Sequence, residues 1–320
     1  MLLLRHASAH AAPACLSVLL LVTPAFGAEL FTGELMVQSQ APGSLSYRIT
    51  EYQADGSSLQ TITPEQAPGS TNLWNPRDLV IGQDGLLYLY NGTFDPYLSI
   101  LDPMPDDWSH ITHDGWSTIN NVSYGGIARA GDRVFVTNMS TAGQPSSGVV
   151  VFDTAMGTST EFASSLQPTD LNLGLDGKLW VLNGSTAFAY DPASFASMGS
   201  VSIAAAGSDI RSLAVDADGN FYVATWGGNL ARLAPDGSFM DSLSFGGSLT
   251  DVDVSPAGLL AVGTRLDGAW LTDTSLSDPV QIESNRWNSF VTFVPEPATL
   301  SALLILGALI ARGSRRNANR

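Results

Sequence analysis

From Gly33 to Val294 the chain reads as short runs of alternating apolar and polar residues, broken by Gly, Asp, Asn and Ser. Alternation of period 2 marks a strand with one face buried, so the region is predicted to be all β. The runs also repeat. PRDLVIGQDGLLYLYN from Pro76, PTDLNLGLDGKLWVLN from Pro168 and IRSLAVDADGNFYVAT from Ile210 share one plan. Each is an apolar strand, a turn with Asp-Gly, and a second strand carrying aromatic or large apolar residues. YGGIARAGDRVFVTN from Tyr124 and LTDVDVSPAGLLAVG from Leu249 are weaker copies, and RWNSFVTFV from Arg286 looks like a sixth first strand with nothing after it. Third strands recur too, as YLSILDP, GVVVFDT, TAFAYDP, NLARLAPDG and GAWLTDT.

Indexed at one position, the six copies place Asp78, Gly126, Asp170, Ser212, Asp251 and Ser289 in register, at spacings of 48, 44, 42, 39 and 38 residues. Four strands with their turns fill such a period, which is that of a propeller blade. The last unit lacks its outer three strands, while Gly33 to Thr63 offers a second, third and fourth strand with no first. Pairing the two ends would close six blades and leave no inner edge open. A seven-bladed ring and an open solenoid are the alternatives.

The repeats resemble NHL-type and virginiamycin B lyase-like propellers, whose units read Pro-x-Gly-hydrophobic, Asp-Gly, aromatic-hydrophobic. Asp78 and Asp170 stand where that pattern has its glycine. The likeness implies a propeller over about Gly33 to Val294 and no particular activity, because propellers host many.

The two ends have their own grammar. Arg5 and His6, the apolar run Cys15 to Val22, and Ala25-Phe26-Gly27 follow the order of a secretory signal peptide over residues 1–27. At the other end Val294-Pro295-Glu296-Pro297 precedes the apolar stretch Ala298 to Ala311 and then Arg312, Arg315, Arg316 and Arg320. As a helix that stretch is about 21 Å long, short for a bilayer core unless the arginines snorkel. The basic end is expected to stay cytoplasmic. This tail resembles the PEP-CTERM sorting signal of Gram-negative bacteria. The resemblance implies an exosortase as partner, Val294, Pro295, Glu296 and Pro297 as the sorting motif, transient anchoring in the inner membrane by a transmembrane helix, and delivery to the cell surface or extracellular matrix. The expected division is therefore signal peptide 1–27, propeller 28–294 and sorting tail 295–320.

Charge narrows the partners. Of 14 bases and 30 acids, five bases and one acid lie in the two ends, which leaves nine against 29 and a net charge of −20 between them. Such a surface repels phosphate backbones, so nucleic acid is not an expected partner. Cys15 is the only cysteine and falls in the signal segment, which excludes disulfides and thiolate chemistry afterwards.

Candidate chemistry is sparse. No nucleophile elbow, phosphate loop or zinc-protease helix occurs. Asp78, Asp170 and Asp251 are predicted to stand at equivalent places near the channel mouth on alternate blades, where three carboxylates could recruit Ca²⁺ or Mg²⁺. The competing expectation is that they accept backbone N–H bonds at the turn or pair with Arg77 and Arg211. Asn91, Asn138 and Asn183 are expected to bond locally. Asp216-Ala-Asp218-Gly-Asn220 looks like a piece of a calcium loop without its remaining ligands, and reads as a turn. His110 and His113 lie three apart in a predicted outer strand, facing opposite ways, and fall short of a zinc set. No cofactor is identified. The sequence favours a non-catalytic binding or matrix component with a polysaccharide or protein ligand; the rival is a divalent-metal-assisted hydrolase or lyase at the channel mouth.

Overall fold

The computed structural model describes residues 34–42, 47–62, 76–82, 85–91, 97–102, 107–111, 125–138 and 147–294. The signal segment, Pro295 to Pro297 with the apolar tail, and His113 lie outside them, as does the His110 side chain. Among the described residues no helix is long and apolar enough to cross a membrane.

Among the described residues, twenty-four strands form six sheets of four. The first blade is β4 (Pro76–Ile81), β5 (Leu87–Asn91), β6 (Tyr97–Asp102) and β7 (Asp107–Ile111). The second is β8 (Ile127–Ala130), β9 (Arg133–Asn138), β10 (Gly148–Asp153) and β11 (Thr158–Phe162). The third is β12 (Asp170–Leu173), β13 (Leu179–Asn183), β14 (Thr186–Tyr190) and β15 (Ser197–Ser202). The fourth is β16 (Ile210–Val215), β17 (Phe221–Thr225), β18 (Asn229–Leu233) and β19 (Phe239–Ser244). The fifth is β20 (Leu249–Val254), β21 (Leu259–Thr264), β22 (Ala269–Asp273) and β23 (Val280–Glu283). The sixth takes its inner strand, β24 (Trp287–Phe293), from the end of the chain, and β1 (Leu35–Gln40), β2 (Tyr47–Tyr52) and β3 (Ser58–Ile62) from the beginning.

This closure is antiparallel, with Leu35 opposite Phe293, Val37 opposite Val291 and Gln38 opposite Phe290. The inner strands β24, β4, β8, β12, β16 and β20 each touch the next around the ring. Six blades, and neither seven nor an open solenoid, is the architecture.

Each seam between blades has its own apolar cluster. Met36, Ile49, Leu79, Leu87 and Phe290 fill the closing seam, and Leu35, Val37, Ala261, Val291 and Phe293 fill the one before it. Second strands such as β5 and β17 are buried along their whole length, because they have a blade on both faces. Outer strands β11, β15 and β19 are largely exposed; β11 and β15 are accordingly rich in Ser, Thr and Gly, while β19 exposes Phe239 and Met240. The Asp-Gly pairs are turns. Gly177, Gly219 and Gly237 have φ of 80°, 83° and 84°, and the Asp176, Asp216 and Asp236 side chains each accept a backbone N–H two residues on. The Asp216 carboxylate takes four bonds, from the Asp218 and Asn220 N–H groups, the Asn220 amide and the Tyr222 hydroxyl.

Candidate functional site

Alternation along the inner strands decides where the indexed side chains point. Leu79 and Ile81 face the preceding blade, so Asp78, one residue before Leu79, faces the following one with Val80. Its Oδ1 accepts the Leu79 N–H at 2.7 Å, and its Oδ2 accepts the N–H of Ile127, on the inner strand of the next blade, at 2.9 Å. Asp170 Oδ2 accepts the Leu213 N–H at 2.8 Å, and Asp251 Oδ2 accepts the Val291 N–H at 2.8 Å. Ser212 does the same on the intervening blade: its Oγ accepts the Val252 N–H at 3.3 Å and donates to Asp251 Oδ1 at 2.8 Å. These polar residues stitch adjacent inner strands together. They bond across the seam and not to Arg77 or Arg211, and the partner is the next blade's strand and not a turn.

The same pattern corrects the register of the last copy. Ile127 and Leu213 follow the indexed positions Gly126 and Ser212 by one, so Val291 places the sixth position at Phe290 and not at Ser289. The sheet pairing agrees, since Phe290 stands opposite Gln38 while Gln40 stands opposite Trp287, with an irregularity between. Gly126 is explained as well: a Cβ there would run into the Leu171 backbone nitrogen and Asp170 Oδ1.

Asp78, Asp170 and Asp251 are nearly completely buried, and they feel one another. Burial, then the charges of Asp251 and Asp170, raises the Asp78 carboxyl well above the usual range. Burial and Asp251 do the same to Asp170, and burial raises Asp251 to about 6. Among the described residues no group of three His, Cys, Asp or Glu side chains converges as metal ligands do. The asparagines at the second-strand ends hold neighbouring chain, Asn91 through Ser99 at 2.8 Å, Asn138 through Glu161 at 3.1 Å and Asn183 through the Gln167 N–H at 3.2 Å.

At the end where the inner strands begin, sequence reasoning missed a second constellation. Trp226, just after β17, carries two guanidinium groups over its ring, Arg211 at 4.2 Å and Arg265 at 4.8 Å. Beside it an open depression of about 360 Å³ is lined by Gln40, Arg265, Leu266, Trp287 and Asn288. Asn288 sits in the left-handed region at φ 48°; its N–H donates to the Arg265 carbonyl at 2.8 Å, and its Nδ2 donates to Gln40 Oε1 at 3.0 Å. A usable signal existed. Arg77, Arg211, Arg265 and Arg286, four of the nine bases between the two chain ends, all fall within two residues of an inner-strand start or a second-strand end.

No protein-family profile matches the chain, and no curated protein matches it. Among solved structures, the chain is similar to the extracellular domain of BT4673 from B. thetaiotaomicron, described as a one-component system, with 15% identity and a TM-score of 0.49. That match takes in 80% of this chain and 37% of the other, so the chain spans well under half the length of the structure it matches.

Proposed function

We propose that this protein is an exported propeller delivered to the cell surface through its C-terminal tail, where it acts as a non-catalytic binding or matrix component. The observation that supports this reading is the employment of the inner-strand carboxylates. Asp78, Asp170 and Asp251 each hold an N–H of the neighbouring blade, so these buried carboxylates are engaged in joining the inner strands. Secretion through residues 1–27 and exosortase processing at Val294 to Pro297 rest on the order of charged, apolar and Pro-Glu-Pro segments. Substituting Glu296→Ala in an exosortase-bearing Gram-negative host is expected to trap the protein in the inner membrane. Unchanged surface delivery would end the sorting part of the reading.

A divalent-metal-assisted hydrolase or lyase is the second reading. It draws on one observation, that Asp251 and Asp170 lie near enough to Asp78 to raise its proton affinity, as Asp251 does for Asp170. A bound Ca²⁺ or Mg²⁺ would relieve that repulsion. Calorimetric titration of the purified chain with each cation separates the two readings: saturable heat that Asp170→Ala abolishes supports the metal site, and silence supports the binding component.

A further inference from the structure

We infer that the depression between the fifth and sixth blades is a binding site for an acidic saccharide, with Arg265 holding a uronate carboxylate and Trp287, Asn288 and Gln40 holding the sugar ring. The inference names the ligand class for the binding role proposed above and rests on that reading.

Charge carries the first step. In a body of net charge −20, four of nine bases fall at one end of the blades; Arg77 among them is buried, and Arg211 shares the Trp226 ring with Arg265. Arg265 is exposed, and among the described residues it makes no ion pair; it lies over Trp226 at 4.8 Å. Stacking on an indole orients a guanidinium without neutralising it, and its planar fork matches a carboxylate. Asp209 and Asp267 occupy the same rim, both exposed, so the site is a local basic spot and not a broad anion field.

Shape and polarity carry the second. About 360 Å³ lies at the small end of ligand sites, roughly 300–1,000 Å³. Half-buried Trp287 offers a flat apolar face of the kind that sugar C–H groups pack on. Side-chain amides beside it suit vicinal hydroxyls, which donate and accept at once. Asn288 is held there at φ 48°, a conformation a non-glycine residue adopts at some energetic expense, and it is pinned to Arg265 and Gln40 by two bonds.

The third step lies beneath the rim. Gln38 shares a strand face with Gln40, is fully buried, and has neither its Nε2 nor its Oε1 bonded. Ser39 Oγ and Ser289 Oγ, the neighbours of the lining residues in β1 and β24, are also buried without partners. These four atoms depart from the rule that buried polar groups are satisfied. They lie in the two strands that carry the lining residues Gln40, Trp287 and Asn288.

The test is calorimetric titration of the purified chain with trigalacturonate, cellotriose and tri-glutamate, followed by mass analysis of the saccharide. Saturable binding of trigalacturonate, with cellotriose at least about tenfold weaker, is expected from the worth of a charge-assisted bond. Arg265→Gln should weaken it about 10- to 100-fold. Asn288→Gly, which suits the backbone, should weaken it while the melting temperature holds. No trigalacturonate binding, or equal binding of tri-glutamate, overturns the inference and leaves the non-catalytic reading standing. Bound saccharide recovered shortened would sustain the site and overturn the non-catalytic reading instead.

Discussion

Asp251 on β20 accepts the backbone N–H of Val291 on β24 at 2.8 Å, and so ties the fifth blade to the strand that closes the ring. The same carboxylate accepts the Val252 N–H and the Ser212 hydroxyl, each at 2.8 Å. Removing it strands the Val291 N–H and the Ser212 hydroxyl, and leaves the Val252 N–H only its 3.3 Å bond to Ser212 Oγ. Asp251→Ala is expected to destabilise the fold by about 2–4 kcal/mol in urea unfolding, from about 1–3 kcal/mol for each orphaned buried group with partial relaxation. Asp55→Ala, in an exposed turn, should leave the unfolding midpoint close to that of wild type. Equal small effects would show that the inter-blade bonds carry no stability.

The buried acids also set a pH dependence. Burial raises Asp251 from 3.8 to about 6, burial with the charges of Asp251 and Asp170 raises Asp78, and burial with the charge of Asp251 raises Asp170. A raised folded-state value means that the folded chain holds protons the unfolded chain releases. The contribution is therefore fully present below about pH 4 and is lost as pH rises through the folded values, for Asp251 between about 4 and 6. Working above pH 4 avoids Asp273, which its Ser275 and Ser277 bonds lower to about 2. Stability profiles from pH 4 to 7 should fall less steeply in Asp251→Asn than in wild type. Parallel profiles would remove these carboxylates as the cause.

How much of this was legible beforehand follows from where each signal is stored. Blade count and closure were readable, because the Asp-Gly turns and second-strand aromatics recur locally and the end fragments are complementary. The work done by Asp78 and Asp170 was not, since their partners, the N–H groups of Ile127 and Leu213, lie 49 and 43 residues away. Ser289 was misplaced by one because the start of β24 is irregular against β1, and a serine matching Ser212 happened to sit beside Phe290. The rim around Trp226 was hidden for another reason. Arg211, Trp226 and Arg265 come from two blades, and only the packing of the fourth blade on the fifth brings them together.

Close approach between blades makes a glycine prediction. A Cβ on Gly263 would collide with the carbonyl oxygen of Ser289 on the neighbouring inner strand, which is backbone and cannot rotate away. Gly263→Ala should cost about 1–3 kcal/mol or more, as overpacking does. Gly227→Ala, which meets only Thr225 Oγ1 at 3.8 Å, should change stability by no more than about 0.5 kcal/mol. A tolerated Gly263→Ala in thermal unfolding would mean the fifth and sixth blades sit further apart than described.

Closure itself can be tested at Phe290, which packs with Met36, Ile49, Leu79 and Leu87 between the sixth blade and the first. Its truncation to alanine should cost about 3–5 kcal/mol, the range for a buried phenylalanine. Ending the chain before Arg286 goes further, for it removes all of β24 and bares both the β1 edge and two apolar seams. An uncovered apolar edge strand recruits other chains, so that truncation should elute as oligomers or aggregate. Ending it after Val294 leaves every described strand in place and should give a folded monomeric ring on the same column. If both truncations eluted alike as monomers with similar unfolding midpoints, the pairing of the two chain ends would not be what holds the propeller shut.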